Sequence, residues 1–506
     1  MADSPPSDRS ASPPTALPAL PLRHAAWVLA LGAAAFHLAY ALPVCEWAIA
    51  GFVLAATALT RVASGRSAFF LGFLLGLLAY VPHLTFLYTI FGAFAVPLWS
   101  ILPFWLALYV WIGRLAWRSL PTGLAAAGLP FLWLGLEYFR CECYPLKFAW
   151  LTPALALAHH PPAGLLYVCG GYGLSALLVA GSLPFLLIPL SRRTLFATAA
   201  LTVAVLLTGL AFLPGSRPTG DVRGGHSVSI GPEAIYLTAV GVQIENSFDD
   251  PTLAALEAAR AAHPDANLFI LPEHAFTGPP PDEFRAWCRT HHKFLIAGGI
   301  DLVSRIPRRL YNTAFIVDPT GAVIFRQAKS VPVQFFDDGL PAPSRRLWPS
   351  PWGRLGVCIC YDLSYTRVID DFAAQGAQAL FVPTMDVKTW GRAEHALHAR
   401  VAPIRAAEYG FPIFRVASSG ISQAVDSTGQ VLATAPDPGA GAVLVQTITL
   451  RNAGPHRPLD RYLAPLALLI PPMIACWALF VCLRRRFQTF HRLNTNLGES
   501  KPQSPR

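Results

Sequence analysis

Two textures divide the chain. Apolar residues gather in long unbroken blocks at 25–42, 46–61, 68–91, 95–113, 122–139, 163–190 and 194–213, and once more at 461–483. Each block is close to the roughly 20 residues that a helix needs to cross about 30 Å of hydrocarbon, so the pattern predicts eight spanning helices. Residues 1–22 are rich in Pro, Ser and Ala, have no periodicity, and predict a disordered tail.

Between about 220 and 455 the pattern becomes short alternating runs separated by Gly, Pro and Asp. Strands are predicted at 239–243, 268–271, 294–300, 313–317, 322–326, 355–361, 379–382, 413–416 and 421–425. Helices are predicted at 251–262, where Asp250 and Pro251 suit the cap and first turn, at 364–375, and at 392–409, ending on Gly410. Strands interleaved with helices imply a layered α/β domain.

Composition supports the division. The chain is 54% hydrophobic and 13% charged, where a soluble domain has about 25% charged residues, so a simple cytosolic protein is excluded. The net charge of +10 does not point to nucleic acid, because the arginines sit beside apolar blocks instead of forming a basic stripe. Arg23, Arg61, Arg66, Arg114, Arg118, Arg192, Arg193 and Arg484 to Arg486 fall in alternate connections, which predicts both termini inside and residues 220–455 outside. The expected organisation is a tail at 1–22, a seven-helix membrane domain at 23–215, an outer domain at 225–452, an eighth span at 460–484 and a tail at 485–506. Nine cysteines without a C-x-x-C repeat predict neither a disulfide framework nor a zinc site.

Candidate chemistry lies at the ends of predicted strands. The run Leu355-Gly356-Val357-Cys358-Ile359-Cys360-Tyr361-Asp362 places Cys360 at a strand-to-helix junction, where backbone N–H groups would lower a thiol's pKa and make it a nucleophile. The plainer reading is a buried structural cysteine, which suits Cys358 on the opposite parity. Glu273 follows the apolar run 268–271, and Lys329 follows strand 322–326 in a chain with only five lysines. A thiol nucleophile needs a base and an oxyanion donor, and these residue types can supply both.

The order Glu, Lys, Cys, carried by Leu271-Pro272-Glu273, Lys329, Ile359-Cys360-Tyr361-Asp362 and the stretch from His398 through Arg405, Glu408 and Gly410 to Ser422, resembles the nitrilase, or carbon-nitrogen hydrolase, superfamily over about 235–450. In the membrane part, Trp133, Glu137, Arg140, Phe148, Trp150, Leu151, Gly171 and Gly173 resemble the apolipoprotein N-acyltransferase family. The resemblance implies a polytopic α-helical membrane bundle plus an α/β nitrilase-like αββα sandwich in the bacterial inner membrane, with the sandwich in the periplasm. It implies Glu273 as proton acceptor, Lys329 and the Tyr361 N–H as oxyanion donors, and Cys360 as nucleophile. The acyl donor would be phosphatidylethanolamine or phosphatidylglycerol and the acceptor the amine of a diacylglyceryl-cysteine apolipoprotein, joined through a thioester, with no cofactor or metal.

Other positions carry less. Asp362 either orients Lys329 or Glu273 or caps the helix near Ser364. The second acid is Asp337 or Asp338. Glu137 and Arg140 suggest an ion pair near the membrane edge, facing lipid headgroups. His398 is given no role, and the stretches 277–281 and 339–353 are candidate lids. The segments Ser330 to Asp338 and Thr384 to Gly391 depart from the family pattern. That leaves open a membrane-tethered nitrilase-type amidase, an N-acyltransferase for another amine, or a silent scaffold.

Overall fold

A computed structural model describes residues 19–187, 234–245, 250–435, 439, 441–451 and 454–498. The predicted span at 194–213, with Arg192 and Arg193, and most of the N-terminal tail lie outside these residues.

Among the described residues, five helical stretches are long and apolar enough to cross a membrane: Leu22–Ala41, Gly65–His83, Phe86–Ser119, Ala163–Leu187 and Asp460–His491. A shorter apolar stretch, Pro43–Leu59, holds helix α2 (Ile49–Leu59), which follows α1 (Leu22–Ala41). Their outer faces carry exposed Trp27, Phe70, Phe104, Met473 and Leu479, as a lipid-facing surface requires. The blocks at 68–91 and 95–113 divide differently from the prediction. Helix α3, Gly65–Tyr80, ends before Pro82, and the Leu78 carbonyl that Pro82 cannot serve accepts from His37 Nε2 at 3.0 Å. Short helices α4 (Phe86–Phe91) and α5 (Ala95–Trp99) follow, and α6 (Ile101–Ser119) then returns along α3. The next helix, α7, covers Thr122–Tyr138 and continues into a wider turn at Phe139–Cys143.

Among the described residues, the C-terminal half contains two six-stranded sheets, in the orders β12-β1-β2-β3-β4-β5 and β11-β10-β9-β8-β7-β6, where β6 is Trp348–Ser350, β10 Ser422–Val425 and β11 Val431–Ala435. In the first, β1 (Ile235–Val242) lies between antiparallel β12 (Val443–Leu450) and parallel β2 (Leu268–Ile270). The hairpin of β3 (Phe294–Arg305) and β4 (Arg308–Val317) continues it to β5 (Val323–Ala328). In the second, β7 (Gly353–Val357), β8 (Ala379–Thr384) and β9 (Ile413–Ala417) run parallel. Strand alternation builds the layers. Leu237, Ala239, Leu268 and Ile270 pack with the second sheet's apolar residues, while Val240, Val242, Phe269 and Leu271 pack with Leu256, Phe284 and Trp287 of helices Asp250–Ala262 and Asp282–His291. Helices Thr366–Ala374 and Val401–Tyr409 cover the other side, so the expected αββα sandwich is present.

The sandwich docks on the bundle through buried charge. Helix α8, Ala163–Leu187, is broken at Gly170, whose φ of +74° suits glycine, and the break frees N–H groups. Glu408 Oε1 accepts from Gly171 N at 2.5 Å, and Asp460 Oδ2 accepts from Tyr172 N and Gly173 N at 3.0 and 3.2 Å. Arg405 and Arg461 neutralise these acids, at 2.5 Å from Glu408 and 2.6 Å from Asp460 respectively. A helix start with carboxylates on its N–H groups is favourable, and here the carboxylates come from outside the helix. Glu137 and Arg140 are buried and do not face headgroups. Glu137 accepts from Trp133 and Ser175, while Arg140 donates to the carbonyls of Phe148 and Trp150, so the two serve different neighbours instead of pairing directly.

Candidate active site

Glu273 lies just past β2, in a segment laid directly on β3. Leu271 N and Phe276 N donate to the carbonyls of Ile296 and Gly298 at 2.8 and 3.1 Å. A Cβ at Gly298 would stand 2.5 Å from Glu273 Cα, so only glycine permits this approach. Lys329 leaves β5 with its N–H on the Asn312 carbonyl at 2.8 Å. Cys360 opens a tight turn, Cys360–Ser364, with φ +51°, a left-handed value that costs energy for a residue with a side chain. The predicted strand therefore ends at Val357 instead of 361, and the following helix begins at Thr366.

These three side chains line one cavity. Lys329 Nζ sits 2.7 Å from Glu273 Oε1 and 2.7 Å from Asp338 Oδ2. Asp338 is thus the acid on the lysine; Asp337 is exposed and pairs with Arg308 at 3.0 Å. Met385 N donates to Glu273 Oε2 at 2.9 Å. Asn312 Nδ2 lies 2.6 Å from both Glu273 Oε1 and Asp338 Oδ1, and 3.1 Å from His274 Nε2. Sequence reasoning missed Asn312 and His274, although an asparagine inside an apolar strand is itself a signal, since its burial requires partners.

Asp362 makes no direct contact with Lys329 or Glu273. It accepts from Ser330 N at 3.0 Å, Val331 N at 2.7 Å and Ile359 N at 3.2 Å, and so ties the lysine's loop to the cysteine's turn. Tyr361 lines the cavity, and its hydroxyl donates to the Lys147 carbonyl at 3.3 Å.

The charges set the protonation states. Burial would lower the Lys329 pKa, but Glu273, Cys360 and Asp338 together hold it well above its usual range. Burial, and then Glu273, push the Cys360 thiol well above its ordinary value in spite of Lys329. This reverses the lowered pKa expected at a strand-to-helix junction: the sulfur is buried and a carboxylate faces it, so the resting group is a thiol. Burial would raise Asp338, but Lys329 and His274 hold it well below the carboxylate range. Burial pushes Asp362 up to about 6, against the pull of the Ser330 N–H.

The cavity, about 260 Å³, continues away from these groups between Leu84, Phe86, Leu87, Leu98, Ile101 and Leu102 of the membrane bundle. Residues 333–338 line it, whereas none of the predicted lid residues does. The predicted lids are held by backbone hydrogen bonds, Ile300 N to Gly278 O at 3.3 Å and Leu340 N to Leu310 O at 2.9 Å. Phe335 packs against Phe91 and Phe94, with centroids 5.7 and 5.8 Å apart, and Phe336 against Trp390 at 6.1 Å. Aromatic contacts therefore bridge the bundle and the sandwich over the cavity.

His398 also lines the cavity. Its Nδ1 lies 2.7 Å from Asp386 Oδ1, Arg415 donates to the other Asp386 oxygen, and its ring packs on Trp150 at 4.9 Å. A ring nitrogen of His398, a carboxylate oxygen of Asp386 and the Cys360 sulfur lie within 4.8 Å of one another. Glu273, His274 and Asp338 form a second such group, but in both groups the carboxylates already face Lys329 or Arg415, so neither is read as a metal centre.

Fold and site together define a membrane helix bundle that carries a cysteine-centred domain of the carbon-nitrogen hydrolase fold. The family model for carbon-nitrogen hydrolase matches residues 237–457, and that for the apolipoprotein N-acyltransferase N-terminal domain matches residues 25–184. The chain is 27% identical to the apolipoprotein N-acyltransferase of Pseudomonas aeruginosa, over 89% of this chain and 95% of that protein. It is 26% identical to the deaminated glutathione amidase of Yersinia enterocolitica over 37% of this chain and 74% of that protein. It is also similar to the solved structure of Saccharomyces cerevisiae Nit3, a member of branch 10 of the nitrilase superfamily, at 20% identity over 42% of this chain and 90% of that one, with a TM-score of 0.38. Across both matched domains the chain is similar to apolipoprotein N-acyltransferases, and it is a multi-pass bacterial membrane acyltransferase.

Proposed function

We propose that the protein moves an acyl chain from a phospholipid, phosphatidylethanolamine or phosphatidylglycerol, to the N-terminal amine of a diacylglyceryl-cysteine apolipoprotein, through a thioester on Cys360. One observation carries this reading: the thiol, its carboxylate and its ammonium stand at the end of an apolar cavity whose far wall belongs to membrane helices. A water-soluble amide would gain nothing from that wall, whereas an acyl chain is matched to it.

In the first half-reaction Glu273 takes the thiol proton as the sulfur attacks the ester carbonyl. Because the thiol rests protonated, its deprotonation belongs to the chemical step. Lys329 and the Tyr361 N–H stabilise the oxyanion, and Glu273 returns the proton to the departing lysophospholipid oxygen. In the second, the amine attacks the thioester, the C–N bond forms, the C–S bond breaks, and the sulfur recovers a proton.

The proposed topology places the sandwich in the periplasm of the inner membrane, with seven spans at 23–215, an eighth at 460–484 and both termini cytoplasmic. It is supported by the gathering of basic residues at one end of the bundle: Arg61 donates to the Leu186 carbonyl at 2.7 Å, and Arg118, Arg485 and Arg486 line one groove. At the other end Arg400 of the sandwich donates to the Tyr40 carbonyl at 2.7 Å. The test is incubation of purified protein in detergent with labelled phosphatidylethanolamine and a diacylated lipopeptide. Label should pass to the lipopeptide through a thioester absent from Cys360→Ala. Release of free fatty acid alone would favour hydrolysis and defeat the proposal.

A further inference from the structure

Proton accounting in the second half-reaction leaves one proton without a carrier. This inference rests on the acyl-transfer reading above. An α-amine with a pKa of about 8 arrives mainly as an ammonium ion at neutral pH. It must lose one proton to expose its lone pair and a second after the C–N bond forms. Glu273 can carry the second to the departing sulfur, which, buried beside a carboxylate, takes it back as a thiol. The first needs another acceptor, because Glu273 holds its bonds to Lys329 and Met385 and can carry only one proton at a time.

We propose that His398 is a second catalytic base, taking the first proton from the acceptor's ammonium before the amine attacks the thioester on Cys360. Three observations place it there. Asp386 Oδ1 engages Nδ1 at 2.7 Å, which fixes the tautomer with the proton on Nδ1 and the lone pair on Nε2. Nε2 is buried and has no hydrogen-bond partner among the described residues, and such an atom is costly unless something is meant to engage it. The ring lines the same cavity as Cys360.

The charged and titratable groups around the ring are Asp386 and Glu394 at 2.7 and 3.7 Å from Nδ1, with Arg415, Glu273 and Cys360 beyond. Burial is the largest influence and lowers the ring's pKa, so His398 rests neutral and able to accept a proton. In the step, one N–H bond of the ammonium breaks and an Nε2–H bond forms, giving an amine and an imidazolium. The amine lone pair then attacks the thioester carbonyl, the second proton passes through Glu273 to sulfur, and the imidazolium releases its proton to solvent.

The experiment separates the half-reactions. Wild type and His398→Gln are acylated with labelled phosphatidylethanolamine, and the thioester is chased with a diacylated lipopeptide or with hydroxylamine, which is largely unprotonated at neutral pH. The variant should lose less than about tenfold in thioester formation and about 100-fold or more in transfer to the lipopeptide, the range of a lost general base. Its transfer rate should climb with pH until the acceptor's ammonium loses its proton unaided near pH 8, and hydroxylamine should discharge both thioesters at similar rates. Transfer to the lipopeptide at the wild-type rate would overturn the proposal. So would equal losses with both acceptors, or equal losses in both half-reactions in His398→Gln and His398→Asn. Absence of any thioester in the wild type would instead sink the acyl-transfer reading itself.

Discussion

Replacing Lys329 by methionine tests the electrostatics of the site most directly. The ammonium is buried and sits 2.7 Å from each of two buried carboxylates. Removing one partner of a buried ion pair costs about 3–5 kcal/mol. The two acids would not double that figure, because they share the Asn312 amide at 2.6 Å each and one can take up a proton. For a unit of this size the loss corresponds to a fall of roughly 6–20 °C in Tm at neutral pH.

The pH dependence has a definite sign. In the wild type Lys329 holds Asp338 well below the usual carboxylate range, so its contribution is present above the unfolded value of about 4 and fades only in stronger acid. In the variant a buried carboxylate without its cation has a raised pKa, and the folded state gains from protonation as pH falls from 7 toward 4. The Tm gap should therefore be widest near pH 7–8 and narrow on acidification. Thermal unfolding of the detergent-solubilised proteins measures it. Loss of the proposed oxyanion donor should also slow thioester formation by about 10²–10³. A Tm gap that stays constant from pH 8 to 4, or acylation at the wild-type rate, would refute the reasoning.

Three further outcomes are expected. Asp362→Asn puts an amide where a carboxylate accepts the N–H groups of Ser330, Val331 and Ile359, so thioester formation should fall about tenfold; the wild-type rate should show an acid limb near pH 6, where Asp362 takes up its proton, and the variant should lack it. A shared limb in both pH–rate profiles would contradict this. Phe91→Ala with Phe335→Ala removes the aromatic bridge over the cavity and should raise KM for phospholipid in mixed micelles about three- to tenfold more than it lowers kcat; unchanged KM would mean that the bridge does not shape donor entry. Glu408→Ala strands Arg405, Arg461 and the Gly171 N–H in the interface between sandwich and bundle and should lower stability by about 3–5 kcal/mol, read as Tm; an unaltered Tm would show that the interface is held otherwise.

Features written in contiguous residues are legible in the sequence. Block length announces a membrane bundle, and alternation at 239–243 and 268–271 announces strands with one face for each layer. Glu273, Lys329 and Cys360 stand out because they close predicted strands. Sequence and structure part where one residue changes a local rule. Pro82 and Pro403 remove N–H groups that a continuous helix needs, so the block at 68–91 breaks after Tyr80, and the helix predicted at 392–409 divides into Arg392–Ala399 and Val401–Tyr409. The left-handed turn at Cys360 likewise shortens its strand.

Local pattern alone determined that this chain needs both lipid and a layered α/β core, and it singled out the residue types for thiol chemistry, because hydropathy and periodicity are properties of neighbours in sequence. Tertiary structure decided which acid meets the lysine, that Asn312 joins the two carboxylates, that Asp386 orients His398, and that burial raises the thiol's pKa instead of lowering it. Those outcomes depend on distances and on the exclusion of water between residues tens of positions apart, which no local stretch of sequence contains.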